Sequence, residues 1–172
     1  MLVLVRHAMP AYGPDRPAEE WPLSPEGRAA AIALRRRLPS GALFVASAEP
    51  KAYQTLEPSG EVSIDERFGE VRRDEPFDGD FRARRRAYVD GVAHPGWESH
   101  ADVTARFGAG IAEWRIKAGD RPLVVASHGM ALTGWLTEAI GLADPGEFWA
   151  DLQLPDAFAV DLSGRRAYRL AE

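Results

Sequence analysis

The chain has 172 residues, of which 45% are hydrophobic and 27% are charged, and its formal net charge at pH 7 is −5. This length and composition are typical of one globular domain, and we expect residues 1–172 to form a single domain. The negative net charge gives no overall attraction to nucleic acid or to an anionic membrane surface. The sequence has no cysteine, which excludes disulfides, thiolate zinc sites and a cysteine nucleophile.

The apolar N-terminal run ends at Arg6, so it is too short for a signal peptide or a membrane-spanning helix. We therefore expect a cytoplasmic protein with neither nucleic acid nor membrane as a partner. The sequence leaves the oligomeric state open.

In the first half of the chain, short apolar runs alternate with helix signals. Residues 2–5 are typical of a strand that is covered on both faces of a parallel sheet. Ser24, Pro25 and Glu26 predict the start of a helix that continues to about Leu38, because serine caps helices, proline suits the first position and a carboxylate suits the positive end. Further predicted elements are strands at 43–46 and 62–64 and a helix that Ser47 would cap and that carries Lys51 and Gln54.

The second half of the chain continues the alternation after a charged stretch at 65–80, which has neither helical nor strand periodicity and is a candidate active-site loop. The elements predicted beyond it are helices at 81–89, 103–117 and 130–140, a central strand at 123–126, and a closing hairpin of residues 157–162 and 167–170. This order of strands and helices predicts an α/β fold, a three-layer α/β/α sandwich around a predominantly parallel central sheet.

Two histidines occupy equivalent places, since His7 follows the first strand and His128 follows the strand at 123–126. Ligands of α/β sheets bind outside the carboxyl ends of the strands, so both imidazoles are expected in one crevice. Arg6 and the backbone N–H of Gly129 at a helix start add donors suited to an anion. A lone histidine of this kind is more often structural, but two at matching strand ends beside an arginine favour a phosphate site.

Phosphoryl transfer depends on positioning and on positive donors around the equatorial oxygens. A neutral imidazole can attack phosphorus, and water can then hydrolyse the phosphohistidine. The leaving alkoxide needs a proton, which a carboxylic acid can supply when a desolvated, anionic pocket raises its pKa. The loop at 65–80 offers Glu66, Glu70 and Glu75 for this role.

Five motifs, in order along most of the chain, resemble those of the histidine phosphatase, or phosphoglycerate mutase-like, superfamily. Residues 4–8 (LVRHA) resemble its Arg-His-Gly signature, and residues 23–28 (LSPEGR) its Leu-Thr-x-x-Gly helix start. Residues 47–55 (SAEPKAYQT) resemble its Ser-x-x-x-Arg-Ala-x-Gln-Thr segment. Residues 96–99 (GWES) and 124–129 (VVASHG) are similar to its Gly-Glu-Ser stretch and its second histidine motif.

The resemblance implies that His7 is the nucleophile, that Arg6 and His128 bind phosphate, and that Glu70 is the proton donor, matching the family's Leu-x-Glu motif loosely. Two positions depart from the pattern. Ala8 stands where many members have glycine, and Lys51 stands where the family has a second phosphate-binding arginine. Lysine keeps the charge but not the planar two-point fork of a guanidinium.

We therefore expect a phosphatase that hydrolyses a phosphomonoester through a phosphohistidine on His7, without a metal or organic cofactor. Its partner would be a small phosphorylated substrate or a phosphoprotein. The resemblance also permits a phosphoglycerate mutase-type phosphotransferase, and Lys51 permits a catalytically weak domain that binds phosphorylated ligands. The arginines at 82 and 84–86, with Arg72 and Arg73, form a solvated surface or recognise an anionic substrate.

Overall fold

The computed structural model describes residues 1–171. Within them lie six strands, Leu2–Arg6 (β1), Leu43–Ala46 (β2), Val62–Ile64 (β3), Leu123–Ser127 (β4), Asp156–Asp161 (β5) and Arg166–Arg169 (β6). The six α-helices are Pro25–Leu34 (α1), Pro50–Leu56 (α2), Phe81–Val89 (α3), His100–Ala118 (α4), Gly129–Ile140 (α5) and Pro145–Asp151 (α6). Short 3₁₀ turns at 18–20, 35–37, 57–59 and 66–68 connect some of them.

All six strands form one sheet in the order β3-β2-β4-β1-β5-β6. The first four strands in this order are parallel, while β5 is antiparallel to both β1 and β6. The predicted α/β class with a predominantly parallel sheet is thus confirmed, as is the central place of β4.

The layers follow from the alternation of side chains along the strands. In β1, Leu2 and Leu4 pack into an apolar cluster with helices α3 to α6, whereas Val3 and Val5 pack with α1 and α2 on the opposite face. These four side chains are at most 4% exposed. Continuous burial of both faces explains why β1 is an uninterrupted apolar run.

The register of the central strands aligns their carboxyl ends. Arg6 at the end of β1 pairs with Ser127 at the end of β4, and the backbone N–H of His7 donates to the Ser127 carbonyl over 3.0 Å. On the other side of β4, the backbone N–H of Ser47 donates to the Ala126 carbonyl over 3.0 Å. The residues that follow β1, β2 and β4 therefore emerge side by side at one edge of the sheet.

Helix starts agree with the sequence signals in one case and differ in others. Ser24 caps α1 by accepting a hydrogen bond from the Gly27 N–H over 3.0 Å, as predicted. Helix α4 begins three residues before the predicted start, because Ser99 caps it by accepting from the Asp102 N–H.

The prediction that Ser47 caps α2 is wrong. Glu49 holds the capping position, and Pro50 fills the first helical position. The Ser47 hydroxyl instead accepts from the Glu49 N–H over 3.1 Å, before the helix begins. Helix α6 has no counterpart among the predicted elements, although Asp144 caps it and Pro145 opens it, which are standard start signals.

No helix within residues 1–171 combines the length and the apolar character that crossing a membrane requires.

Gly27 offers a test of how α1 supports the segment after His7. A Cβ at Gly27 would lie 2.1 Å from the Met9 carbonyl oxygen, so Gly27→Ala must displace backbone. We expect the free energy of unfolding to fall by about 1–3 kcal/mol, measured by urea titration. Gly134→Ala in α5, where a Cβ meets nothing within 4 Å, is the matched control and should stabilise by roughly 0.5–1 kcal/mol. Equal effects of the two variants would contradict this packing.

Candidate active site

The two predicted histidines lie next to each other at the carboxyl edge of the sheet. The ring centroids of His7 and His128 are 5.2 Å apart, with an angle of 56° between the ring planes. His7 is 8% exposed and His128 is fully buried. The structure therefore brings together the pair that the strand ends predicted.

The backbone fixes which ring nitrogen of His7 can react. Nδ1 lies 2.7 Å from the carbonyl oxygen of Ala8, which only accepts hydrogen bonds, so Nδ1 carries the proton and Nε2 keeps its lone pair. Burial, together with the nearby His128 and Lys51, lowers the pKa of His7 well below 6.5. The imidazole is therefore neutral at physiological pH, which is the form that a nucleophile requires.

The backbone N–H of Ala8 is not a free anion donor, because it donates to the Thr55 hydroxyl over 2.8 Å. That hydroxyl in turn donates to the Lys51 carbonyl over 2.7 Å. Helix α2 thus holds the backbone beside His7, through a threonine to which the sequence had assigned no role.

Arg6 lies at the end of β1 with its guanidinium partly engaged. Nη1 donates to the Leu152 carbonyl over 2.7 Å, whereas Nε is buried and has no hydrogen-bond partner within residues 1–171. Burial lowers the pKa of Arg6 to about 10, although Glu70 and Asp156 oppose that shift. Arg6 therefore remains a cation at neutral pH, and a buried donor without a partner is costly unless a ligand satisfies it.

Lys51 and Glu49 form a buried ion pair at the start of α2. The Lys51 Nζ donates to Glu49 Oε2 over 2.5 Å and to the Ala18 carbonyl over 2.6 Å. Lys51 is 5% exposed, and its charge contributes to the lowered pKa values of His7 and His128. The charge of Lys51 therefore acts on both histidines.

Glu49 is a member of the site that the sequence did not reveal. Its Oε1 accepts from the Glu70 N–H over 2.9 Å and lies 3.2 Å from the His128 Nε2. The family pattern treats this position as variable, so the motif gave no signal. Only its spacing of two residues from Lys51 could have suggested an ion pair.

Glu70 is the only one of the three candidate acids with contacts in the site. Its Oε1 accepts from the Val71 and Ala131 N–H groups over 2.9 Å each, and its Oε2 accepts from the Met130 N–H over 3.2 Å. The first turn of α5 is thus occupied by a carboxylate, which suits the positive end of a helix. Two N–H groups of this helix start, those of Met130 and Ala131, are therefore engaged by Glu70.

The charge state of Glu70 reflects opposing effects. Burial alone would raise the pKa of Glu70, but His128, Arg73 and the Val71 N–H together lower it below its usual 4.5. The carboxylate is therefore ionised at neutral pH in the free protein. This differs from the raised pKa expected of a proton donor.

The other candidate acids lie elsewhere. Glu66 is exposed on a 3₁₀ turn. Glu75 is paired with Arg73 over 2.9 Å and with Arg85 over 2.6 Å.

For some arginines, the sequence left open whether they form a solvated surface or recognise a substrate. Two of them are near the pocket. Arg82 and Arg85 contribute to the lowered pKa of Arg6, and Arg82 lies over the Trp149 ring, 5.7 Å from its centroid. A Cβ at Gly129 would be 3.0 Å from the Trp149 Nε1 and 3.5 Å from the Arg6 Nε. Gly129 is therefore closely packed between Arg6 and Trp149.

His94 and His100 have structural contacts instead. A ring nitrogen of His94 contacts the Arg84 carbonyl, and a ring nitrogen of His100 contacts the Tyr88 carbonyl. Within the described part of the chain, no three His, Asp or Glu side chains are grouped as metal ligands.

Comparison with known proteins identifies the family. Residues 2–160 match the model of the histidine phosphatase superfamily, branch 1. The chain belongs to this superfamily, and it is a histidine-type phosphatase. No curated protein sequence matches the chain significantly.

Solved structures share the fold. A mycobacterial glucosyl-3-phosphoglycerate phosphatase is 25% identical, with 91% of this chain and 87% of that chain covered and a TM-score of 0.71. The protein TTHB049 of Thermus thermophilus is 27% identical, with 99% of this chain and 98% of that chain covered and a TM-score of 0.67. YhfR of Bacillus stearothermophilus is similar in fold, with 20% identity, coverage of 98% and 94% and a TM-score of 0.71.

The contacts of Glu70 predict a pH-dependent stability. Because the folded-state pKa of Glu70 is lowered, its stabilising effect is present above pH 4.5 and is lost as the pH falls below that value. Glu70→Gln should lower the free energy of unfolding at pH 7 by about 1–3 kcal/mol, since an amide cannot satisfy the same N–H groups. The difference between wild type and variant, measured by urea titration from pH 7 to pH 3, should shrink with acidification. A difference in unfolding free energy that stays constant with pH would show that the ionised Glu70 carboxylate does not stabilise the fold.

Proposed function

We propose that the protein hydrolyses a small phosphomonoester through a phosphohistidine on His7. The observation that supports this most strongly is the 2.7 Å contact between His7 Nδ1 and the Ala8 carbonyl. It leaves Nε2 as a neutral nucleophile in a pocket whose other groups are suited to an anion.

In the first step, the His7 Nε2 lone pair attacks phosphorus in line and the bond to the ester oxygen breaks. The leaving alkoxide takes a proton from Glu70. In the second step, water attacks the phosphohistidine and the phosphorus–nitrogen bond breaks, while the Glu70 carboxylate takes a proton from the water. The products are an alcohol, inorganic phosphate and the starting enzyme.

Glu70 must be protonated before the first step, whereas it is ionised in the free protein. A phosphoryl group brings negative charge into the pocket, and a nearby like charge raises the pKa of a carboxyl group. Glu70 already contributes to the pKa values of Arg6 and His128, so it lies within range of the same charges. Substrate binding therefore favours the protonated form.

The remaining groups would stabilise the transferred phosphoryl oxygens. Arg6 offers its Nε, which has no partner within residues 1–171. Lys51 offers an ammonium whose charge acts on both histidines, and Gly129 offers a backbone N–H at the start of α5. His128 would be a further donor, as the family resemblance implies. Preorganised donors of this kind are typically worth about 10²–10³ in kcat each.

The mycobacterial neighbour that is 25% identical is a glucosyl-3-phosphoglycerate phosphatase, which favours a small phosphorylated molecule as the substrate of this chain as well. The positive charge of Arg82 near Arg6 favours a substrate with further anionic character, whereas Arg85 is already paired with Glu75.

His7→Ala should abolish turnover of an activated aryl phosphate, because it removes the ring nitrogen that forms the covalent intermediate. Wild-type enzyme quenched during turnover should carry a phosphoryl group that is labile to acid and stable to alkali. His94→Ala, outside the site, is the matched control and should retain wild-type kcat. Near-wild-type hydrolysis by His7→Ala, or phosphate trapped on His128, would show that the nucleophile is another residue.

If Glu70 protonates the leaving group, Glu70→Gln should reduce kcat far more for an alkyl phosphate than for an activated aryl phosphate, because only the poor leaving group needs the proton. We expect kcat to fall at least about 10²-fold for the alkyl phosphate and less than about tenfold for the aryl phosphate, in line with the usual contribution of a general acid. Glu66→Gln, at an exposed position, should leave both rates unchanged. Equal losses on the two substrates would assign the proton to another donor.

A further inference from the structure

Glu49 has no part in the proposed mechanism, yet its carboxylate joins three groups of the site. Oε2 accepts from Lys51 Nζ over 2.5 Å, and Oε1 accepts from the Glu70 N–H over 2.9 Å and lies 3.2 Å from His128 Nε2. The side chain is 15% exposed. A buried carboxylate of this kind is retained only when its partners compensate for lost hydration.

The contacts of Glu49 favour one tautomer of His128. Nε2 lies 2.8 Å from the Ser47 hydroxyl, which can donate or accept, and 3.2 Å from the Glu49 carboxylate. An ionised carboxylate only accepts hydrogen bonds, so its proximity favours a proton on Nε2. The Ser47 oxygen can accept from it while also accepting from the Glu49 N–H, because a hydroxyl has two lone pairs.

The opposite nitrogen of His128 is then left with its lone pair. Nδ1 is fully buried and has no hydrogen-bond partner within residues 1–171. A buried polar atom of this kind calls for a partner, which a ligand can supply. In a phosphoryl complex that partner would be a phosphoryl oxygen. The lone pairs of Nδ1 and of this oxygen repel each other, so a hydrogen bond between them requires a proton on Nδ1.

We propose that Glu49 is a positioning residue, which holds His128 with its proton on Nε2 so that Nδ1 takes up a second proton when the phosphoryl group binds. The proton comes from solvent or from a phosphomonoester monoanion. The ring becomes a cation that donates from Nδ1 to a phosphoryl oxygen, with the Glu49 carboxylate as counter-charge at Nε2. This inference rests on the proposed function, since it assigns His128 to the transferred phosphoryl group.

Several charged or titratable groups surround His128. They are Glu49 and Lys51 at the start of α2, Glu70 and Arg73 in the loop after β3, Arg106 on α4 and His7 after β1. Burial, Lys51 and Arg106 lower the pKa of His128 in the free protein, and Glu70 raises it. The protonated ring therefore depends on nearby negative charge, which Glu49 provides by direct contact.

The test is the pH dependence of kcat/KM for 4-nitrophenyl phosphate in Glu49→Gln, Glu49→Asp and Lys51→Met. Glu49→Gln should lower kcat/KM at neutral pH by about 10–100-fold, the fold-change expected from losing one interaction with a charged group. Because a protonated His128 is needed and the variant disfavours it, the alkaline limb should move to lower pH. Glu49→Asp keeps the charge and should recover most of the wild-type profile. Lys51→Met removes a positive charge, so its alkaline limb should move to higher pH.

Glu113→Gln is the matched control, since Glu113 pairs with Arg67 and Lys117 on the surface, and its profile should equal that of wild type. If Glu49→Gln shares the upward shift of Lys51→Met, Glu49 acts only by holding Lys51 and the proposal is wrong. An unshifted limb in Glu49→Gln also overturns it.

Nitrogen-15 NMR of the ring of His128 tests the same point without turnover. In wild type the proton should reside on Nε2, and in Glu49→Gln this preference should weaken. A ring proton on Nδ1 in wild type would overturn the proposal. Retained hydrolysis by His7→Ala would instead overturn the proposed function. Loss of activity in His7→Ala with a wild-type profile in Glu49→Gln would overturn only the role of Glu49.

Discussion

The site depends on the parallel, in-register pairing of β1 with β4. Arg6 lies opposite Ser127, and the His7 N–H donates to the Ser127 carbonyl, so the backbone itself sets the separation of the two histidines. A slip of one residue would turn every side chain of a strand to the other face of the sheet, and it would exchange the leucine and valine side chains of β1 between two closely packed apolar layers. The distance between the rings is thus a property of the core.

This arrangement gathers ionisable groups where hydration is lost, and each charge is balanced in a different way. The two histidines have lowered pKa values and are neutral, Lys51 is paired with Glu49, and Glu70 lies against the first turn of α5. Arg6 keeps a buried donor atom that has no partner among residues 1–171. An unpaired buried donor is costly, and an arriving phosphoryl oxygen would remove that cost.

The sequence was informative where a local pattern determines structure. Apolar runs identified β1 and β4 because both strands are buried on both faces, and the residues just beyond them therefore identified His7 and His128. The same reasoning could not select the acid, since the loop at 65–80 has no periodicity. Only packing separates its members: Glu70 meets the start of α5, while Glu75 is held by Arg73 and Arg85. Glu49 was missed because its partners are distant in sequence or lie at positions whose geometry no motif encodes.

The packing around Lys51 gives a physical reason for lysine in place of the family arginine. An ammonium has three N–H donors, and those of Lys51 meet Glu49 Oε2 and the Ala18 carbonyl, which leaves one for a phosphoryl oxygen. A guanidinium carries five donors in a rigid planar fork, and at a position only 5% exposed the additional donors would need acceptors of their own. Lys51 and Glu49 therefore form one unit. The Glu49 carboxylate that holds the ammonium also lies 3.2 Å from His128 Nε2, so Lys51, which departs from the family pattern, is coupled to His128.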